Sequence, residues 1–185
     1  MTDAMNKGSA PSQGDLAHKL MAEAVGTYAL VFVGCGSIMV DTITGGSLGH
    51  LGVSIAFGLV ISVMVYATGH ISGAHFNPAV TVAFASIGRF SWPEVPAYIG
   101  TQAAAATAAA FSLAALLGPI AEIGSTAPSI SLGAASVFEF VLTFLLMYVI
   151  TAVATDSRAE GAMAGLAIGG TVAMAALFGG PLTGA

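Results

Sequence analysis

Residues Gly69–Ala83 read GHISGAHFNPAVTVA, and the fold turns on how this stretch is read. It is apolar enough to sit in a membrane, yet glycines at 69 and 73 interrupt it and Asn77-Pro78 divides it. Asn is a favoured helix N-cap and Pro suits the first helical position, so a helix is expected from Ala79 to about Ile87. A helix of about ten residues rises only about 15 Å, half the thickness of a bilayer core. The segment is therefore expected to enter the membrane and return. Non-helical backbone at that depth is tolerated only inside protein or beside a water-filled cavity, so the segment itself argues for a pore.

The rest of the chain supplies the surroundings such a segment needs. Of 185 residues, 56% are hydrophobic and 7% charged, too few charges to clothe a soluble domain. No charge occurs in Leu51–Thr68 or Val95–Leu117. Five spans are expected, at Leu20–Val40, Leu51–Thr68, Val95–Leu117, Ala134–Ala154 and Ala162–Phe178. Residues 1–19 read as a disordered cytoplasmic tail, without a cleavable signal peptide. Cys35 is the only cysteine, so no disulfide can form within these residues, and a packing role is expected for it.

The four basic residues, Lys7, Lys19, Arg89 and Arg158, test the topology. If 69–90 is re-entrant and the N-terminus cytoplasmic, all four face the cytoplasm. The opposite connections, 41–50 and 118–133, contain neither Lys nor Arg. This arrangement obeys the positive-inside rule, whereas a crossing helix at 79–87 would put Arg89 outside.

An internal repeat is also present. Residues 56–74, AFGLVISVMVYATGHISGA, align without a gap on 167–185, AIGGTVAMAALFGGPLTGA, matching Gly58 with Gly169, Gly69 with Gly180 and Gly73 with Gly184. Residues 21–32, MAEAVGTYALVF, resemble 137–148, VFEFVLTFLLMY, matching Glu23 with Glu139. Three spans per unit force the two units into opposite orientations, the inverted-repeat pattern of transport proteins. By this register a second Asn-Pro would begin at the third residue beyond Ala185. The expected architecture is thus all-α, with five transmembrane helices and one re-entrant half-helix. A second half-helix and a sixth span are missing from these residues. The channel domain is expected over 20–185, as a first repeat at about 20–117 and an incomplete second at about 134–185.

The stretch from Gly69, together with AEAVGT in the first span and the Gly180-Pro181 approach, resembles the aquaporin (major intrinsic protein) family from about Leu20 to the end. GHISGAHFNPAV followed by GRFSWPEVPAYI looks closest to bacterial members akin to the nodulin-26-like and glycerol-conducting branches. The resemblance implies a homotetrameric passive channel in a bacterial inner membrane, passing water and small neutral solutes. It implies no enzymatic activity and no cofactor. Asn77, Pro78 and Ala79 would form the pore motif, and the carbonyls of Gly73, Ala74 and His75 would line the pore. Glu23 and Glu139, the only charges inside spans, would accept hydrogen bonds from loop backbone. Phe57, Ala176 and Ala185 would stand at three filter positions. Strict water channels usually carry His where Ala176 stands, so a wider, less polar mouth is expected, admitting glycerol or metalloid hydroxides.

A helix N-terminus at the bilayer centre repels cations, and the Asn77 amide offers donors to passing water. His70 and His75 lack metal-ligand spacing and read as loop-shaping residues, while His18 and His50 are expected to be solvated. Gly161, Gly165 and Gly169 recur every four residues as a close-approach helix face, and the Ala103–Ala110 run is expected to serve likewise. Two alternatives stay open. One is a non-conducting fragment or subunit of such a channel. The other is an ion channel or secondary transporter, for which Glu23 and Glu139 are the only midplane charges.

Overall fold

The computed structural model describes residues 13–155 and 161–184, so Lys7, Arg158 and the expected filter residue Ala185 lie outside the described residues. Within them are six α-helices: α1 (Gln13–Ile43), α2 (Gly49–Ser72), α3 (Pro78–Ser86), α4 (Val95–Leu117), α5 (Leu132–Thr155) and α6 (Ala164–Thr183). All but α3 are long and apolar enough to cross a bilayer. The nine residues of α3 rise about 14 Å, the length of a half-span. This is the all-helical architecture anticipated from the sequence, five transmembrane helices and one re-entrant half-helix, in an integral membrane protein.

Several boundaries differ from expectation, with α1 running to Ile43 and α2 to Ser72, and two differences bear on the site. Residues 13–19, assigned to the tail, are the first turns of α1, with Asp15 placed where the helix dipole favours an acid. Helix α6 does not stop at Phe178 but continues through Pro181 to Thr183. A proline inside a helix leaves the carbonyl four residues earlier without its donor. Here that carbonyl, on Leu177, meets His50 Nε2 at 2.8 Å, so His50 is bonded to the protein rather than merely solvated.

Glycines set the spacing between helices. A Cβ on Gly58 of α2 would overlap the Gly169 carbonyl of α6, and a Cβ on Gly169 would overlap Ser62 and the Gly58 carbonyl. The Tyr66 ring lies over Gly165, and its hydroxyl accepts from Leu166 N at 3.1 Å. The two repeat units thus cross at matched glycines, as small residues allow in lipid. Their ends match as well. Gly73 (φ 89°) caps α2 by donating to Gly69 O, and Gly184 (φ 90°) caps α6 by donating to Gly180 O, both at 3.0 Å. Both positions need the left-handed conformation that glycine adopts without strain.

The alanine run of α4 behaves differently from expectation. Ala109 is fully buried, but Ala103, Ala104 and Ala108 are exposed, so only one face of the run packs closely. Helix α5 turns Phe140, Phe144 and Tyr148 outward, an apolar face suited to lipid tails. Helix α3 lies against α4, and Ile61, Phe76, Val80, Phe84, Ile150 and Ile168 form a cluster that joins it to side chains of α2, α5 and α6.

Candidate functional site

The site begins where α2 ends. Gly73, Ala74 and Phe76 all have positive φ, 89°, 52° and 52°. For Ala74 and Phe76 this backbone is strained and must be held by its surroundings. Glu23, fully buried on α1, holds it. Its Oε1 accepts from Ser72 Oγ at 2.7 Å and from His75 N at 2.9 Å, and its Oε2 accepts from Phe76 N at 2.7 Å and from Gln102 Nε2 at 2.9 Å. Four donors, two of them backbone N–H groups that no helix could satisfy, converge on one carboxyl group. The Phe76 ring lies over Gly26, where any Cβ would overlap it.

A second tier fixes the half-helix. Thr81 Oγ1 donates to Asn77 O at 3.1 Å and accepts from Gln102 Nε2 at 3.0 Å. His75 Nδ1 lies 3.1 Å from the same hydroxyl. If the Thr81 hydroxyl donates to Asn77 O, His75 Nδ1 is the donor in that pair. Tyr98 donates to Ser72 O at 2.9 Å, and the His75 ring packs against Phe84, Phe90 and Tyr98. His75 is therefore a loop-shaping residue tied to α3 and α4. Among the described residues no group of three or more His, Cys, Asp or Glu could hold a metal ion.

Asn77 caps α3 through Oδ1, which accepts from Ala79 N at 2.7 Å, with Pro78 at the start of the helix. That bond leaves the Nδ2 hydrogens available, and Asn77 is exposed. Gly73, Ala74 and His75 border a cavity of about 590 Å³ whose rim includes Arg89 and Tyr66. Phe57 and Ala176 are brought together at another cavity, of about 390 Å³, on the side of the α1–α2 and α4–α5 connections. The Phe57 ring lies over Gly34.

Glu139 has a different setting. Its Oε1 is buried with no hydrogen-bond partner among the described residues.

Sequence reasoning missed Gln102, Thr81, Ser72 and Tyr98. A signal existed for Gln102, a lone amide in an apolar span, because polar side chains in membranes are retained for a purpose. It also missed Thr126, which borders the cavity shared by Phe57 and Ala176.

The site is thus a half-helix capped by Asn-Pro, whose strained lead-in backbone is pinned by a buried glutamate on α1. The sequence pattern of the Major intrinsic protein family matches residues 11–185, and the chain belongs to that family. It is 48% identical over 179 residues to the probable aquaporin NIP4-2 of Arabidopsis thaliana, covering 96% of this chain and 63% of that protein. It is 50% identical over 170 residues to aquaporin NIP1-3 of Oryza sativa subsp. japonica, covering 91% of this chain and 59% of that one. The X-ray structure of the aquaglyceroporin from Plasmodium falciparum superimposes with a TM-score of 0.78 at 26% identity, over 91% of this chain and 75% of that one. The chain thus spans about three fifths of the length of these two plant relatives. Relatives named as NIP aquaporins agree with the nodulin-26-like resemblance, but they are plant proteins and lend no support to a bacterial inner membrane.

Proposed function

We propose that this chain forms the wall of a passive channel for water and small uncharged solutes, glycerol or metalloid hydroxides among them, and excludes protons and ions. The observation that carries this is Asn77. Its carbonyl oxygen is committed to Ala79 N, so its amide can only offer hydrogens to what passes, at the positive end of α3. A water that accepts there cannot also pass a proton along the file. The carbonyls of Gly73, Ala74 and His75 supply acceptors on the approach. Phe57 and Ala176 form two sides of the opposite mouth, where a small side chain at 176 leaves room for a solute wider than water. In this reading residues 20–185 are the channel domain, the N-terminus is cytoplasmic, and the protein works as a homotetramer. Glu23 and Glu139 support loops and do not relay protons.

The test is stopped-flow permeability in proteoliposomes. Glycerol and water should both pass, with no current under an applied potential. Ala176→His should cut glycerol flux several-fold more than water flux. Equal losses would refute the filter assignment, and voltage-dependent flux would favour an ion channel.

A further inference from the structure

Pro181 has no N–H, so the helical partner it deprives is the carbonyl of Leu177. The proline ring also crowds that carbonyl and tilts it off the helix. His50, the second residue of α2, meets it with Nε2 at 2.8 Å. A carbonyl only accepts, so Nε2 carries the hydrogen, and it does so in imidazole and imidazolium alike. The neighbouring carbonyls at this end are also engaged. Pro181 O accepts from Ser129 Oγ and Leu182 O from Ser129 N, both at 2.9 Å. Leu177 directly follows Ala176, and His50, Phe57 and Ala176 border one cavity. At the opposite end of the same helix pair, Tyr66 accepts from Leu166 N. Helices α2 and α6 are thus tied by a side chain at each end, with the glycine crossing between.

We infer that His50 is a positioning residue for the outer mouth. By replacing the donor that Pro181 removes, it fixes the end of α6, and with it Ala176, against Phe57. Because the bond is exposed, its share of global stability is small and its effect is local. The link to solute choice rests on the channel reading above; the tie itself does not.

The experiment is a double-mutant cycle of His50→Leu and Pro181→Ala, with His50→Gln as the variant that keeps an N–H donor. Two readouts are taken: amide hydrogen exchange of residues 177–184 in lipid nanodiscs, and the glycerol-to-water permeability ratio. His50→Leu should speed exchange about fivefold, the weight of one ordinary hydrogen bond. It should do nothing in the Pro181→Ala background, where residue 181 regains its own N–H. His50→Gln should stay near the parent. Unchanged exchange, or equal changes in both backgrounds, would overturn the positioning role. The permeability ratio should shift with the exchange; the expected exchange pattern with an unaltered ratio would overturn the link to solute choice. If the parent passes neither solute, it is the channel reading that fails, and the exchange cycle still decides the tie.

Discussion

Glu23 and Glu139 hold matching places in the two repeat units, yet among the described residues four donors converge on Glu23 while Glu139 Oε1 has none. Glu23 receives two backbone amides, a hydroxyl and a side-chain amide. Glu139 Oε1 is buried with no hydrogen-bond partner among the described residues. A buried carboxyl is costly unless donors surround it, and a left-handed non-glycine backbone in a membrane is costly unless acceptors surround it. In the first unit the two costs cancel. The glutamate and the loop therefore act as one device.

Substitutions can break this contrast or sharpen it. The largest effect is expected for Glu23→Ala, which strands four donors and should cost about 3 kcal/mol or more. Thermal unfolding in detergent reads it, and a shift under about 2 °C would mean that the loop holds itself. Gly26→Val drives a side chain into the Phe76 ring and should cost about 1–3 kcal/mol by the same assay. If Phe76→Leu added to Gly26→Val restored nothing, the ring would not be the obstacle. Glu139→Gln should cost less than Glu23→Gln, because among the described residues four donors meet Glu23 and none meets Glu139 Oε1. A loss matching that of Glu23→Gln would erase the distinction between the units. Smallest is Lys19→Met, which removes the 3.2 Å ion pair to Glu94 that ties α1 to the segment after the half-helix. It should cost no more than about 0.5 kcal/mol, and less at high salt.

The sequence was most legible where one residue type meets one backbone need. Asn77-Pro78 announced the half-helix, and Gly165 and Gly169 announced a close-approach helix face; the matched glycines marked the repeat but not the left-handed caps that Gly73 and Gly184 form. The repeat paired Glu23 with Glu139 but could not show their unlike surroundings, since those depend on what other elements bring near. Gln102 and Thr81 stayed hidden because each bonds across elements far apart in sequence. The last span was expected to end at Phe178, yet the helix runs on through Pro181, and the carbonyl of Leu177 that the proline leaves bare finds its donor in His50, 127 residues from Leu177 in the chain. Exposure on α4 was misjudged because eight small, nearly uniform residues carry no periodicity to show which face turns inward.

The crossing of Gly58 and Gly169 has a further consequence. Each glycine is pressed on the other's carbonyl, so even a methyl group at either place pushes both helices apart. The cavity beside Ala74 and the cavity beside Ala176 lie toward opposite ends of that same helix pair. Widening at the crossing would reach both cavities together. A change at residue 176 or residue 57 alters one cavity alone, but the fulcrum belongs to both halves and leaves neither free to drift alone.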